Sequence, residues 1–154
     1  MTTVELGNIK LEVDKKETQK FYATQNGFVC DCPDCLNYVS KISDVKAELN
    51  GIEDELGIDL TKAVGQGMDE LMPHDYENHH LYVVPYYVIG KLFVNKNELA
   101  KESSIPIWAI TTRAEKKLTK NLTLSIIDSS EYIEITDTKN VLTIWLEFKT
   151  ELRT

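Results

Sequence analysis

Residues 141–149 read Val-Leu-Thr-Ile-Trp-Leu-Glu-Phe-Lys, with Leu142, Ile144, Leu146 and Phe148 alternating against Thr143, Trp145, Glu147 and Lys149. A period of two with one apolar side is the pattern of a half-buried β-strand, one face on a core and one toward water. Working backward, Asp137 to Asn140 and Asp128-Ser129-Ser130 have turn composition. They separate this strand from β-rich stretches at Glu131 to Thr136 and Leu122 to Ile127, and predict an antiparallel meander. Two further β-rich stretches precede these, Ile105 to Thr112 and Leu81 to Val94, and Pro85 marks an edge or bulge in the latter because proline cannot donate to a ladder.

Before Leu81 the periodicity changes. Tyr38, Ile42, Val45, Leu49, Ile52 and Leu56 advance by alternating steps of four and three, which lays one apolar stripe along an α-helix. Pro33 suits the first helical position, Asp34 favours the positive end of the dipole, and Gly57 stops the helix; Asn50-Gly51 interrupts or bends it without shifting the stripe. Upstream, Ile9, Leu11 and Val13 alternate with Lys10, Glu12 and Asp14 as a short strand. Asp14 and Glu17 then have capping-box spacing for a helix from Lys15 to Thr24, ended by Asn26-Gly27. Asp59 to Asn78 reads as an irregular connection around a single turn at Met68 to Leu71. Helices first and strands after predict an α+β fold, N-terminal helices packed on a mainly antiparallel C-terminal sheet.

A chain of 154 residues suits one domain, residues 1–154, with one core. Hydrophobic residues at 42% and charged ones at 27% fit a globular protein, and no apolar run reaches the roughly 18 residues a bilayer span needs. No membrane role is expected. The polar, alternating start lacks a secretion signal, so the expected location is the cytoplasm. A formal charge of −8 repels phosphate backbones, which argues against nucleic acid and leaves a basic protein as the expected partner. Arg113, Lys116, Lys117 and Lys120, without interleaved aromatics, read as a solvated loop rather than a phosphate site. Oligomeric state is not legible.

The chemically pointed feature is Cys30-Asp31-Cys32-Pro33-Asp34-Cys35, which holds all 3 cysteines of the chain. Three readings stand side by side. In the first, a structural zinc ion takes Cys30, Cys32 and Cys35, with His74 as fourth ligand, or else His79 or His80, since Cys-x-x-Cys lets one turn point two sulfurs inward. In the second, Cys32 and Cys35 are the pair of a thiol oxidoreductase, their acidity raised by a helix N-terminus and opposed by Asp31 and Asp34; Ile105-Pro106 would stand beside them. In the third, the thiols pack as small apolar groups. His79 and His80, near His74 and Asp75, are neighbours in a strand that would face opposite ways, so they do not make a site by themselves. Tyr82, Tyr86 and Tyr87 read as core aromatics before they read as a ligand groove. Among catalytic motifs, no Ser-His-Asp set, zincin helix or P-loop occurs.

Cys30-x-Cys32-x-x-Cys35-x-Asn37-Tyr38, with Leu56-Gly57-Ile58-Asp59, Glu70-Leu71-Met72-Pro73 and Tyr86-Tyr87-Val88-Ile89-Gly90, resembles a family of small uncharacterised bacterial proteins. The likeness implies a bacterial, cytoplasmic origin and no assigned activity. The expected function is a non-enzymatic, acidic binding or regulatory module, immunity-type or mobile-element-like, its cysteine turn pinned by zinc. The alternative is the thiol oxidoreductase.

Overall fold

The computed structural model describes residues 1–28, 32–62, 72–76, 79–94, 96–102, 106, 108, 110, 113–128 and 140–151. The fold is α+β. Strands β1 (Thr2–Leu6) and β2 (Ile9–Val13) precede helices α1 (Lys15–Ala23), α2 (Pro33–Ser40), α3 (Ile42–Leu49) and α4 (Ile52–Leu56). Then come β3 (Met72–Tyr76), β4 (His79–Val94), α5 (Lys96–Glu102), β5 (Arg113–Lys117), β6 (Leu122–Ile127) and β7 (Val141–Glu151). The strands form one sheet in the order β1-β2-β4-β7-β6-β5, with β3 also paired to β4, and every pairing is antiparallel.

Register carries one apolar face across the sheet. Val4 pairs with Leu11 and Leu11 with Leu92; farther along, Tyr86 pairs with Ile144 and Ile144 with Ile126. All but Leu92 are buried, and the stripe residues Tyr38, Ile42, Val45, Leu49 and Leu56 join them in one core. The sheet curls around this face. Lys116 of β5 shares it, through its pairing with Leu124, and a methyl placed on Gly7 in the β1–β2 turn would fall 2.7 Å from the Lys116 ammonium. The two ends of the strand order therefore approach each other, with the helices inside the curl.

Several sequence expectations need correction. The long helix is three short ones. Lys41 ends α2 and begins α3 at φ −101°, ψ 1°, outside the helical well, and Asn50 and Gly51 both take positive φ, so the chain turns twice while the stripe stays in phase. The connection Asp59 to Asn78 contains β3. The basic stretch is not a loop: Arg113, Lys116 and Lys117 lie on edge strand β5, where alternation sends Lys116 to the opposite face from the other two. β6 pairs directly with β7 rather than through an intervening strand of a meander, and Glu131 to Thr136 lies outside the described residues. Of the stretch Ile105 to Thr112, only Pro106, Trp108 and Ile110 are described, none in a strand; the turn at Met68 to Leu71 is outside them. Strand β1 and helix α5 are additional. β1 was signalled by Gly7-Asn8, a two-residue hairpin connection with glycine in the first central position at φ +62°.

Pro85 sits where its chemistry requires. β4 pairs with β7 along one side, but on the other side β3 covers it only to Val83 and β2 only from Gly90. Helix α1 fills the interval. The Tyr22 hydroxyl donates to the Tyr87 carbonyl at 2.8 Å and accepts from the Tyr87 N–H at 2.8 Å; Thr18 Oγ1 accepts from the Ile89 N–H, and the Asp14 N–H donates to the Ile89 carbonyl. Alternation puts the Pro85 nitrogen on this same side, where no ladder needs a donor. The start of α1 is secured by Asp14, whose carboxylate accepts from the Glu17 N–H at 3.1 Å. Gly90 follows because β2 crosses so closely that a Cβ there would collide with the Glu12 carbonyl oxygen.

Tyr22→Phe keeps the ring's edge contact with Phe21 but strips the Tyr87 peptide groups of their partner. Leaving two buried groups unsatisfied costs about 2–4 kcal/mol. For a chain of this size, that lowers the melting temperature by roughly 5–15 °C in a thermal unfolding scan.

Candidate functional site

The cysteine turn opens α2, and its local structure follows from residue types. Cys32 is the N-cap in extended backbone, Pro33 fills the first helical position, and the Cys32 sulfur accepts the Cys35 N–H at 3.4 Å. A sulfur in this role takes the place of the usual Ser or Asp cap. One turn further in, Cys35 is fully buried while Cys32 is half-buried. Burial pushes the Cys35 thiol up to about 12, helped by its interaction with Cys32 and by the negative charge of Asp34. Cys35 is therefore a protonated thiol at neutral pH.

Beneath the turn lies a set of buried hydroxyls that tie α2 to β4. Asn37 Nδ2 donates to the Tyr82 hydroxyl at 2.8 Å, and that hydroxyl donates to Asp34 Oδ1 at 3.4 Å. The Tyr38 and Tyr86 hydroxyls are 2.5 Å apart, and Tyr86 spends its proton on the Leu60 carbonyl at 2.9 Å, so Tyr38 is the donor between them. Burial raises the pKa of Tyr22, Tyr38 and Tyr86 well above the ordinary tyrosine value. These tyrosines are protonated fasteners between helix and sheet. Asn37 Oδ1 is the exception in the set, buried and without a hydrogen-bond partner.

Of the residues that the sequence put forward as zinc ligands, the fold brings Cys32 and Cys35 together. Cys30 lies outside the described residues. His74 belongs to β3, its backbone opposite Leu81 and next to the Pro73–Tyr82 pair, but its side chain is outside the description. Among the described residues, no three His, Cys, Asp or Glu side chains converge as a metal site. Nor do they include a helix long and apolar enough to cross a membrane.

Sequence reasoning missed a surface feature of the same helix. Leu36 is 56% exposed and Val39 44%, one turn apart on α2, and the other exposed residues of this helix, Pro33 and Ser40, are also uncharged. The signal was available: both are apolar yet out of phase with the stripe through Tyr38 and Ile42. After this helix, the chain carries Asp44, Glu48, Glu53, Asp54, Glu55 and Asp59. Among the described residues, only Asp54 of these forms an ion pair, with Lys15 at 3.6 Å.

No known family, curated protein or solved structure matches the chain. The likeness drawn from the cysteine motif rests on those residues alone.

Cys35 gives the site a pH signature. Its folded pKa is raised, so the unfolded state loses its proton first, and stability falls as pH climbs above the unfolded value, near 8.5. Between pH 9 and pH 10 the loss attributable to this thiol approaches about 1.4 kcal/mol per pH unit. Urea unfolding across that range should show a shallower decline for Cys35→Ala than for the parent, whatever the offset between them.

Proposed function

We propose that this chain is a non-enzymatic, acidic binding module, immunity-type or mobile-element-like, of the bacterial cytoplasm, and that its helical layer recognises a basic protein partner. The observation that carries the reading is the exposed, uncharged strip of Leu36 and Val39, followed along the chain by a segment of carboxylates that form one ion pair among the described residues. An apolar anchor rimmed by charge is the usual composition of an interface, and a net charge of −8 steers a basic partner toward it. The buried tyrosines point the same way, since hydroxyls engaged in holding helix to sheet are not available for acid–base chemistry.

A zinc ion at the turn would complete this module as a structural pin, held by Cys32 and Cys35 with Cys30 and His74. It would have to draw the proton from a thiol that burial holds at about 12, which a bound dication does to a coordinating thiol. Elemental analysis of protein purified without added metal tests this directly: one zinc per chain, lost in Cys35→Ser, is the expected result of the pin.

In affinity capture from a bacterial lysate at about 0.1 M salt, where surface charge still acts over roughly 10 Å, the parent chain should retain a basic protein. The double variant Leu36→Asp with Val39→Asp should lose it at least tenfold, about 1.4 kcal/mol. The same variant should melt within about 2 °C of the parent, because both side chains are at the surface. Identical capture by both proteins would remove α2 from the interface.

A second reading, the thiol oxidoreductase, is favoured by the asymmetry of the pair: a half-buried Cys32 at the helix start and a buried, protonated Cys35 behind it. An outer thiol that attacks and an inner one that resolves would have this arrangement. Reduction of insulin disulfides with dithiothreitol as electron source distinguishes it. A rate above the uncatalysed one that vanishes in Cys32→Ser supports the enzyme, and a rate equal to the uncatalysed one sinks it.

A further inference from the structure

We propose that the groove between α1 and α4 is a subsite for a cationic side chain, an arginine or lysine that the partner inserts beside Asp59. The inference deepens the binding-module reading and rests on it. The groove has a volume of about 320 Å³ and is open to solvent, with Tyr22, Ala23 and Ile58 as apolar walls and Gln19, Asp54 and Asp59 as its polar groups. That division suits a side chain with an aliphatic stem and a charged head, which buries the one and presents the other.

Charge complementarity selects the occupant. Asp59 Oδ1 is taken by the Thr61 N–H at 3.0 Å and the Thr61 hydroxyl at 2.6 Å, which fixes the carboxylate, while Oδ2 has no hydrogen bond and no cation among the described residues. Burial raises the pKa of Tyr22, which lines the groove, and of Tyr86, and the Asp59 charge adds a smaller push in the same direction. Asp54 also lines the groove. Its ion pair with Lys15 is long at 3.6 Å and the carboxylate is 81% exposed, so an incoming guanidinium can share or displace the lysine at little cost. Of the other charged side chains of α1, Lys20 and Glu17 are engaged with each other at 3.0 Å, and Lys16 forms no ion pair among the described residues. The floor is clear because position 57 is glycine. Its φ is +80°, and a Cβ there would lie 2.8 Å from the Lys15 carbonyl oxygen. Any larger residue would push α4 off α1.

The test is a titration of the full chain followed by ¹H–¹⁵N NMR, with argininamide as probe and citrullinamide as its uncharged isostere. The amides of Gln19, Ala23, Gly57 and Ile58 should shift saturably with argininamide and bind citrullinamide about threefold to fivefold more weakly, the size expected of a partly exposed ion pair. Asp59→Asn, which keeps the Oδ1 acceptor for Thr61, should weaken argininamide by a similar factor. Equal affinity for the two probes, shifts that scatter over the acidic surface without saturating, or an unaltered affinity in Asp59→Asn would each overturn the subsite. None of those outcomes touches α2, so the loss of a partner from the α2 variant would stand independently.

Discussion

Between Val84 and Ile89, the backbone of β4 must be satisfied in a dry interior where, among the described residues, one side carries no strand. The rest of the architecture follows from how this is solved. β3 and β2 both pair to the same edge of β4 but stop short of each other, and α1 inserts a tyrosine and a threonine hydroxyl into the interval as if they were peptide groups. An unpaired peptide group costs more when buried than a hydrogen bond contributes when made, so α1 is bound to this position by the absence of a strand as much as by its own apolar contacts. That position in turn sets α4 across Gly57, and α4 sets the groove.

The same economy runs through the tyrosines. A buried tyrosine supplies large apolar area and still needs a partner for its hydroxyl. Here the partners belong to other elements: Tyr22 to β4, Tyr82 to α2, Tyr86 to Leu60 in the segment after α4 and to Tyr38. Helices and sheet are thereby locked in one relative arrangement rather than merely pressed together. The tyrosine hydroxyls are turned inward for assembly, while Asp44, Asp54 and Glu55 of the helical layer are exposed. Under the proposed function, this acidic layer, with its short apolar strip and cleft, is what a partner would meet.

Legibility varied with how local the governing physics was. The alternation of Leu142, Ile144, Leu146 and Phe148 and the stripe from Tyr38 to Leu56 identified buried faces, because burial repeats with the pitch of the element. The breaks at Lys41 and Asn50 were hidden by that success: a stripe in phase across a turn looks like one helix. β3 and β5 were passed over because proline, histidine and charged residues weigh against a strand, and each is nevertheless an outer strand of the sheet, where such residues are tolerated and useful. The cysteine motif announced a helix start and showed nothing of depth, which is the property that separates Cys32 from Cys35.

From its residues alone this chain determined its class, its antiparallel sheet, its acidic surface, the cap at Asp14 and the cysteine-capped opening of α2, since each depends on neighbours within a few positions. Only the tertiary structure decided that the sheet curls until Lys116 meets Gly7, that Pro85 lies in a gap closed by a helix, that Cys35 is sealed from water, and that Asp54 and Asp59 flank a groove. Those depend on which distant surfaces exclude water together, and no local pattern encodes that.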